Sequence, residues 1–519
     1  MKKNARKLIA ILLVCLVFVS LAACKKDTPA NSPPPPADSG PPAKRDTLNM
    51  GVFLDPGTLD PLFMTGKGGY LSVLRTYSEP LWDYTPSGER FWVLATAYDR
   101  IDDLHYTMKV RQGVTFSNGN PLTAEDIYFT MKINSEDGRA FLNVKCVDIE
   151  KTNVVDDYTL DVWYTHYDPS QEPGIVQMGI VDHRTYDVKT FTDNPVGTGA
   201  YVVTNYVVNS SVTVERRDDY WGPLPEIKTI NFKCLAEESQ RVNAMETGDI
   251  DLALITMKDI DTVEGFGTAR AEILNVGASL IACYNMGKDG PLGTVEAREA
   301  VSYAINAQAI IDVAFLGRSQ LIRWGCSEYF LEVQDRYFNM SDLYTDRFNV
   351  DKAKALAEQS GLVGKTLRIV TNGDPNYVTA AEIVQNGLEA IGVNAQIINY
   401  DQASYFNFLM SENEYDIAIN EPVAPSNLPA DIYGNYPVFI PQDWSGPDHD
   451  EYIALAQKMN NTYDLAARQD LCYDLLLLFN KHVLWFGLCE NPYVQALNKE
   501  LKNVQYTMSG VTLLQNITF

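Results

Sequence analysis

The chain has 519 residues, is 46% hydrophobic and 21% charged, and carries a formal charge of −25. That apolar content supports a large folded core and excludes wholesale disorder, and a single apolar run approaching spanning length excludes a polytopic membrane protein. So acidic a chain is a poor binder of phosphate backbones, which argues against a nucleic-acid role.

The N-terminus is the first informative element. Lys2, Lys3, Arg6 and Lys7 precede an apolar run from Leu8 to Val19, followed by Leu21-Ala22-Ala23-Cys24. Charged, apolar and small-residue regions in that order predict an export signal over 1–23. A cysteine directly after the small residues resembles a bacterial lipobox, so Cys24 is expected to become the lipidated first residue. Lipid at one point ties a protein to a membrane surface without a spanning helix. Residues 24–46 follow as a tether, with seven prolines among the 22 residues from Lys25 to Asp46. Proline at that density keeps a chain extended.

The folded body begins near Thr47. Tyr106, Met108 and Val110 alternate with polar residues, as in a half-buried strand. Gly119-Asn120-Pro121 marks a turn, and Thr123-Ala124-Glu125-Asp126 has capping-box spacing, predicting a helix to about Lys132. Tyr201–Val208 and Ser211–Arg216 flank Asn209-Ser210 as a hairpin. Ala297, Ala300, Val301, Ala304 and Ile305 follow helical spacing. Asp351 is placed to cap the next helix and Gly361 to end it. Leu367–Val370 reads as a strand, Ala380 to Ile391 as a helical stripe closed by Gly392, and Ala395–Ile398 as a second strand. Strand, helix and strand at this spacing form a βαβ unit, hence an α/β fold with a partly parallel sheet.

Catalytic signatures are missing. The sequence has no phosphate loop, no GxSxG elbow, no HExxH and no GxGxxG turn. Gly197 and Gly199 lack the third glycine and precede a strand. The five histidines, His105, His166, His183, His449 and His482, show no metal-type spacing, and no cofactor is implied. The acid pairs Asp102-Asp103, Asp156-Asp157 and Asp218-Asp219 sit in polar, turn-like contexts that suit solvated surface. Besides Cys15 and Cys24 there are six cysteines, whose pairing spacing alone does not decide. Most are expected to be small buried hydrophobes. Aromatics are plentiful, and Trp324 and Trp444 lie in polar, loop-like stretches of the kind that line adaptable pockets.

Several segments together resemble the extracytoplasmic solute-binding proteins of ABC importers, peptide/nickel type (family 5). Tyr106–Asp126 (YTMKVRQGVTFSNGNPLTAED) is similar to the family signature almost throughout. Matching pieces are Thr58–Pro61, Ser78-Glu79-Pro80-Leu81, Pro195–Tyr201, Arg217–Gly222, Thr247–Asp251, Ala297–Ile305 and Glu389–Val393. The resemblance runs from about residue 47 to 490. It implies a two-lobed, periplasmic-binding-protein-like (type II) fold with an extra inserted subdomain. Lobe I would comprise 47–76, 191–283 and 487–519, the inserted subdomain 77–190 and lobe II 284–486. Two hinge crossings are expected near Ser279–Tyr284 and Trp485–Asn491.

The implied function is capture of a small solute or oligopeptide between closing lobes and delivery to a membrane permease. The protein would act as a monomer, lipid-anchored through Cys24 on the outer face of the membrane. In peptide-binding members an acid after a Tyr/Phe-Asp pair anchors the peptide's amino terminus. Here the pair is Tyr415-Asp416, and the corresponding position is Pro425; Glu421 or Asp431 would have to substitute. Peptide, sugar and nickel chelate therefore all stay open as ligands. The residues assigned to ligand contact are Trp444 and Trp324 as flat walls, Asn420 and Asn427 as hydrogen-bonding groups, Glu421 as partner of a cation, and Trp485. Two other classes compete: a surface hydrolase acting on peptide or glycan, and a receptor serving a membrane signalling sensor.

Overall fold

The computed structural model describes residues 45–63, 69–87, 89–137, 146–166, 175, 178–274, 276, 278–287, 289–322, 348–401, 404, 405, 408, 409, 414–421, 447–462 and 464–519. Two large sheets dominate. The first has seven strands, in the order Ala269–Leu274, Tyr493–Asn498, Leu252–Ile255, Thr47–Val52, Thr229–Cys234, Ser211–Arg216 and Tyr201–Val207. Its central strand, Thr47–Val52, pairs in parallel with Thr229–Cys234 on one side and Leu252–Ile255 on the other. The second has five strands, in the order Asn394–Asn399, Thr366–Thr371, Ile417–Asn420, Ser279–Tyr284 and Trp485–Glu490. Its first three strands are mutually parallel.

The helix Pro375–Ala390 crosses between the strands Thr366–Thr371 and Asn394–Asn399, completing the expected βαβ unit. Asp374 caps it, and Pro375 opens it where a missing N–H costs nothing. The preceding helix, Val350–Ser360, differs from expectation at one end. Asn349 is its cap, accepting from the Lys352 N–H at 3.0 Å, and Asp351 lies in the first turn. Gly361 ends it in the left-handed conformation, as its position implied.

A four-stranded antiparallel sheet (Ala95–Arg100, His105–Val110, Thr159–Trp163, Asn153–Asp156) packs with the helix Ala124–Glu136 around a core of its own. The capping box at Thr123 is formed, with the Thr123 N–H donating to Asp126 at 2.8 Å. This helix runs to Glu136, one turn beyond the expected end. The hairpin at Asn209 is also formed, with Asn209 at a φ of 56°.

The segments expected to be hinge crossings are themselves strands. Ser279–Tyr284 and Trp485–Glu490 pair antiparallel in the five-stranded sheet, every residue buried. Their near-continuous apolar runs, SLIACY and WFGLCE, suit strands covered on both faces. The chain passes from the seven-stranded sheet to the five-stranded one between Leu274 and Ser279, and returns between Glu490 and Tyr493. Among the described cysteines, Cys146, Cys283 and Cys489 are buried and Cys234 is half-buried.

The family-like motifs converge on one junction. Glu79 accepts from Tyr220 Oη at 2.5 Å and Trp221 Nε1 at 2.9 Å. Arg217 donates to the carbonyls of Thr115 and Phe116, each at 3.1 Å. Gly199 N–H donates to Tyr77 O at 3.0 Å, and a Cβ on Gly197 would lie 2.0 Å from that same oxygen. Glycine is required there because the backbones touch.

Candidate functional site

A cleft of about 850 Å³ lies between the two large sheets. Topology puts it there. Phe53, Leu235-Ala236 and Thr256 follow the three parallel strands of the seven-stranded sheet; Asn372, Asp401 and Glu421 follow the three of the other. All but Leu235 line the cleft. Parallel strands release their loops at their carboxyl ends, which is where open α/β sheets build ligand sites. The volume lies within the range of small-ligand pockets, roughly 300–1,000 Å³.

The wall from the seven-stranded sheet carries Glu237, Glu238, Arg241 and Lys258. Arg241 Nε donates to Leu254 O at 2.8 Å, and its Nη1 to Leu235 O and Ala236 O at 2.8 and 2.9 Å. Glu238 accepts from the Thr256 N–H and pairs with Lys258 at 3.1 Å. The cations of this wall thus hold its own loops in place.

The opposite wall carries Asp374, Tyr377, Asp401 and Glu421, with Asn491 on the returning crossing and Tyr493 opening the strand that follows it. Glu421 is 8% exposed. Its Oε2 accepts from Tyr377 Oη and from Asn491 Nδ2, each at 2.6 Å. Burial raises the Tyr493 phenol well above its usual pKa, and a hydrogen bond to Glu421 adds to the rise. Burial likewise raises the Asp374 carboxyl, against the backbone N–H groups of Asn376 and Tyr377; the charge on Glu421 adds to the rise.

Of the residues assigned to ligand contact, Glu421 lies on the cleft wall. Asn420 does not line it: its Oδ1 accepts from the Glu421 N–H at 2.8 Å, fixing the backbone turn out of the strand. Trp485 is a core residue, 1% exposed, with its ring edge-to-face against Phe479 at 4.4 Å between centroids. It sits in a strand buried on both faces, which removes it from the cleft. Trp324, Asn427 and Trp444 lie outside the described residues, as do Asp431 and Cys24. Asp374, Tyr377, Arg241, Asn491 and Tyr493 were not singled out from the sequence. Asp374 caps the helix Pro375–Ala390, and nothing local in the sequence says that this helix start faces a cleft.

One other cluster invites a metal reading: Asp126, Asp182 and His183 bring a ligand atom each within 4.8 Å of one another. Arg184 closes it, donating to Asp182 at 2.6 Å and to both Asp126 oxygens at 3.1 Å. Asn118 and Asn120 also donate to Asp182. The charge that a cation would supply is already provided by the guanidinium.

A family model described as bacterial extracellular solute-binding proteins, family 5 Middle, matches residues 92–438. The chain belongs to that family. Among its family 5 relatives is the nickel-binding periplasmic protein of Escherichia coli, 26% identical over 63% of this chain and 66% of that protein. The dipeptide-binding protein of E. coli is 28% identical over 41% of this chain. The matched regions thus span less than two thirds of these relatives, and only 40% of the latter.

Solved structures agree on the two-lobed family 5 fold. The ABC transporter substrate binding protein CtaP from Listeria monocytogenes superposes with a TM-score of 0.80 at 22% identity, over 92% of this chain and 99% of that one. The oligopeptide-binding protein AppA from Bacillus subtilis, in complex with a nonapeptide, gives 0.77 at 16% identity, over 92% and 100%. At such identities the likeness shows the fold alone, and these neighbours do not assign a ligand to this chain.

Proposed function

We propose that this protein is the solute receptor of an ABC importer, held by lipid on Cys24 at the outer face of the cell membrane. As a monomer it captures a small solute, a peptide foremost, between two lobes and presents the closed form to a membrane permease. The observation that carries this reading is the cleft of about 850 Å³, which draws its walls from both large sheets in a member of a solute-binding family. A ligand touching both walls makes contacts that an open form lacks, so it shifts an open–closed equilibrium by its differential affinity. Two backbone crossings between the sheets are the natural pivots of such a motion. Lobe I is taken as the seven-stranded sheet with its helices, lobe II as the five-stranded one, and the unit around 77–190 as an insertion.

The test is native mass spectrometry of the full-length protein in detergent, before and after denaturation, followed by incubation with peptide, oligosaccharide and metal-chelate pools. Stoichiometric retention of an intact solute is the expected result. Conversion of a pool member to product would favour the hydrolase reading instead. Retention without dependence of uptake on a permease gene would favour the signalling receptor.

A further inference from the structure

We propose that Arg318 and Asp261 form a clasp between the two lobes, an ion pair that holds the cleft in its present arrangement and sets how readily the lobes part. The inference goes beyond the receptor reading to a device that tunes the motion, and it rests on that reading only for the motion itself.

Arg318 Nη2 donates to Asp261 Oδ1 at 2.7 Å, across 57 positions of sequence. Asp261 lies in the short helix Ile260–Gly265, three residues past Lys258 on the cleft wall. That helix packs on the strands Ala269–Leu274 and Tyr493–Asn498 of the seven-stranded sheet. Arg318 follows the helix Ala307–Ala314, which packs on the strand Trp485–Glu490 of the five-stranded sheet. Among ion pairs whose residues are both described, this one alone joins the two sides. Asp261 is also the one hydrogen-bond acceptor that the Arg318 guanidinium meets among the described residues.

Both ends are fixed to their own side, so the pair registers one lobe against the other rather than the swing of a loop. Ile260 and Val263 bury the helix of Asp261 against its sheet. On the other side Leu316 and Gly317 turn the chain sharply, at φ of 52° and 73°. The Gly317 N–H donates to Ile311 O at 3.0 Å and the Arg318 N–H to Phe315 O at 2.9 Å. A leucine in the left-handed region carries a backbone cost, which the surrounding contacts must offset. The next residues supply them. Ser319 Oγ donates to Glu490 O at 2.6 Å, the Glu490 N–H donates to Gln320 O at 2.9 Å, and Leu321 bridges Cys489. The strap that carries Arg318 is thus tied to the strand from which the chain returns to the seven-stranded sheet. The Arg318 and Asp261 side chains are 32% and 76% exposed, so solvent screens the pair and it adds little to the stability of either lobe. A contact of that strength biases an equilibrium between two lobe positions without locking it.

The experiment is small-angle neutron scattering of the full-length protein in contrast-matched detergent, with no solute added. Arg318→Glu and Asp261→Arg each turn the attraction into a repulsion, and the double variant restores it with the signs exchanged. Each single variant is expected to raise the ratio of open to closed form by at least about twofold, read as a larger radius of gyration. The double variant is expected to return to the wild-type radius, which a merely local disturbance of either loop would not do. Thermal unfolding of all three checks that they fold. Single variants with the wild-type radius, or a double variant as expanded as the singles, would overturn the clasp. Solute retention in native mass spectrometry is measured separately, so the clasp and the receptor reading fail independently.

Discussion

Asn491 donates from Nδ2 to Glu421 Oε2 at 2.6 Å, linking the end of one parallel strand of the five-stranded sheet to the segment on which the chain leaves that sheet. Glu421 is in this way both a wall of the cleft and a brace of a crossing. A side chain with both positions couples what binds in the cleft to how the lobes are joined.

That bond predicts a stability effect. Asn491→Ala removes a donor to a buried carboxylate, and hydrogen bonds to charged groups contribute about 1.5–3 kcal/mol. Urea unfolding of the variant should show a loss of that order with an unchanged slope. A loss below about 0.5 kcal/mol would mean that the brace is replaced by water.

Gly197→Ala should destabilise the junction between the family motifs. The added Cβ would meet Tyr77 O at 2.0 Å, and that oxygen is backbone that cannot swing aside. Overpacking of this kind costs about 1–3 kcal/mol. Gly265→Ala is the control, since nothing lies within 4 Å of a Cβ there. Equal melting temperatures for the two variants would refute the close-approach account.

Two buried acids predict opposite pH responses. Burial pushes the Glu79 carboxyl up to about 7 from an ordinary 4.5, outweighing the hydrogen bonds from Tyr220 and Trp221. The folded state then holds a proton that the unfolded state has lost. This contribution is fully present below about 4.5 and is lost as pH rises through about 7, on the order of 3 kcal/mol in all. Asp182 runs the other way. Burial alone would raise it, but hydrogen bonds from Asn118, Asn120, Arg184 and Thr185 hold it well below the carboxylate range. Its contribution is present above its ordinary 3.8 and fades on acidification. Chemical denaturation across pH should therefore show Glu79→Gln flattening the neutral-side decline and Asp182→Asn flattening the acid-side one.

Trp485→Ala tests a residue that the sequence assigned to the ligand and the fold assigns to the core. Loss of a fully buried indole packed on Phe479 should cost about 3–5 kcal/mol. A variant with wild-type stability and weakened ligand binding would return Trp485 to the site.

Cys24→Ser tests the anchor. Lipid chains bind a bilayer with about 0.8 kcal/mol per buried methylene, so the variant should leave the membrane fraction and lose incorporation of labelled fatty acid. Retention on membranes without label would point to an uncleaved signal instead.

The sequence by itself determined what depends on neighbours along the chain. The Thr123 capping box, the Asn209 hairpin, the Gly361 helix end and the βαβ unit around residues 375–390 are each written in a few consecutive residues, and each is formed. The motifs from Ser78 to Gly222 were legible as family marks, and their convergence on Glu79 explains them as scaffold. Asn349 displaced Asp351 as a cap because both are good acceptors two residues apart, and only the entry of the chain into the helix chooses between them. Tertiary structure alone decided that Trp485 is core while Glu421 is cleft, for a strand's burial depends on which sheets and helices cover it. It alone set Asp374 against Glu421, 47 positions apart in sequence, at the carboxyl ends of two adjacent parallel strands. Local patterning carries no record of such a meeting, because strand order is settled by packing over the whole chain.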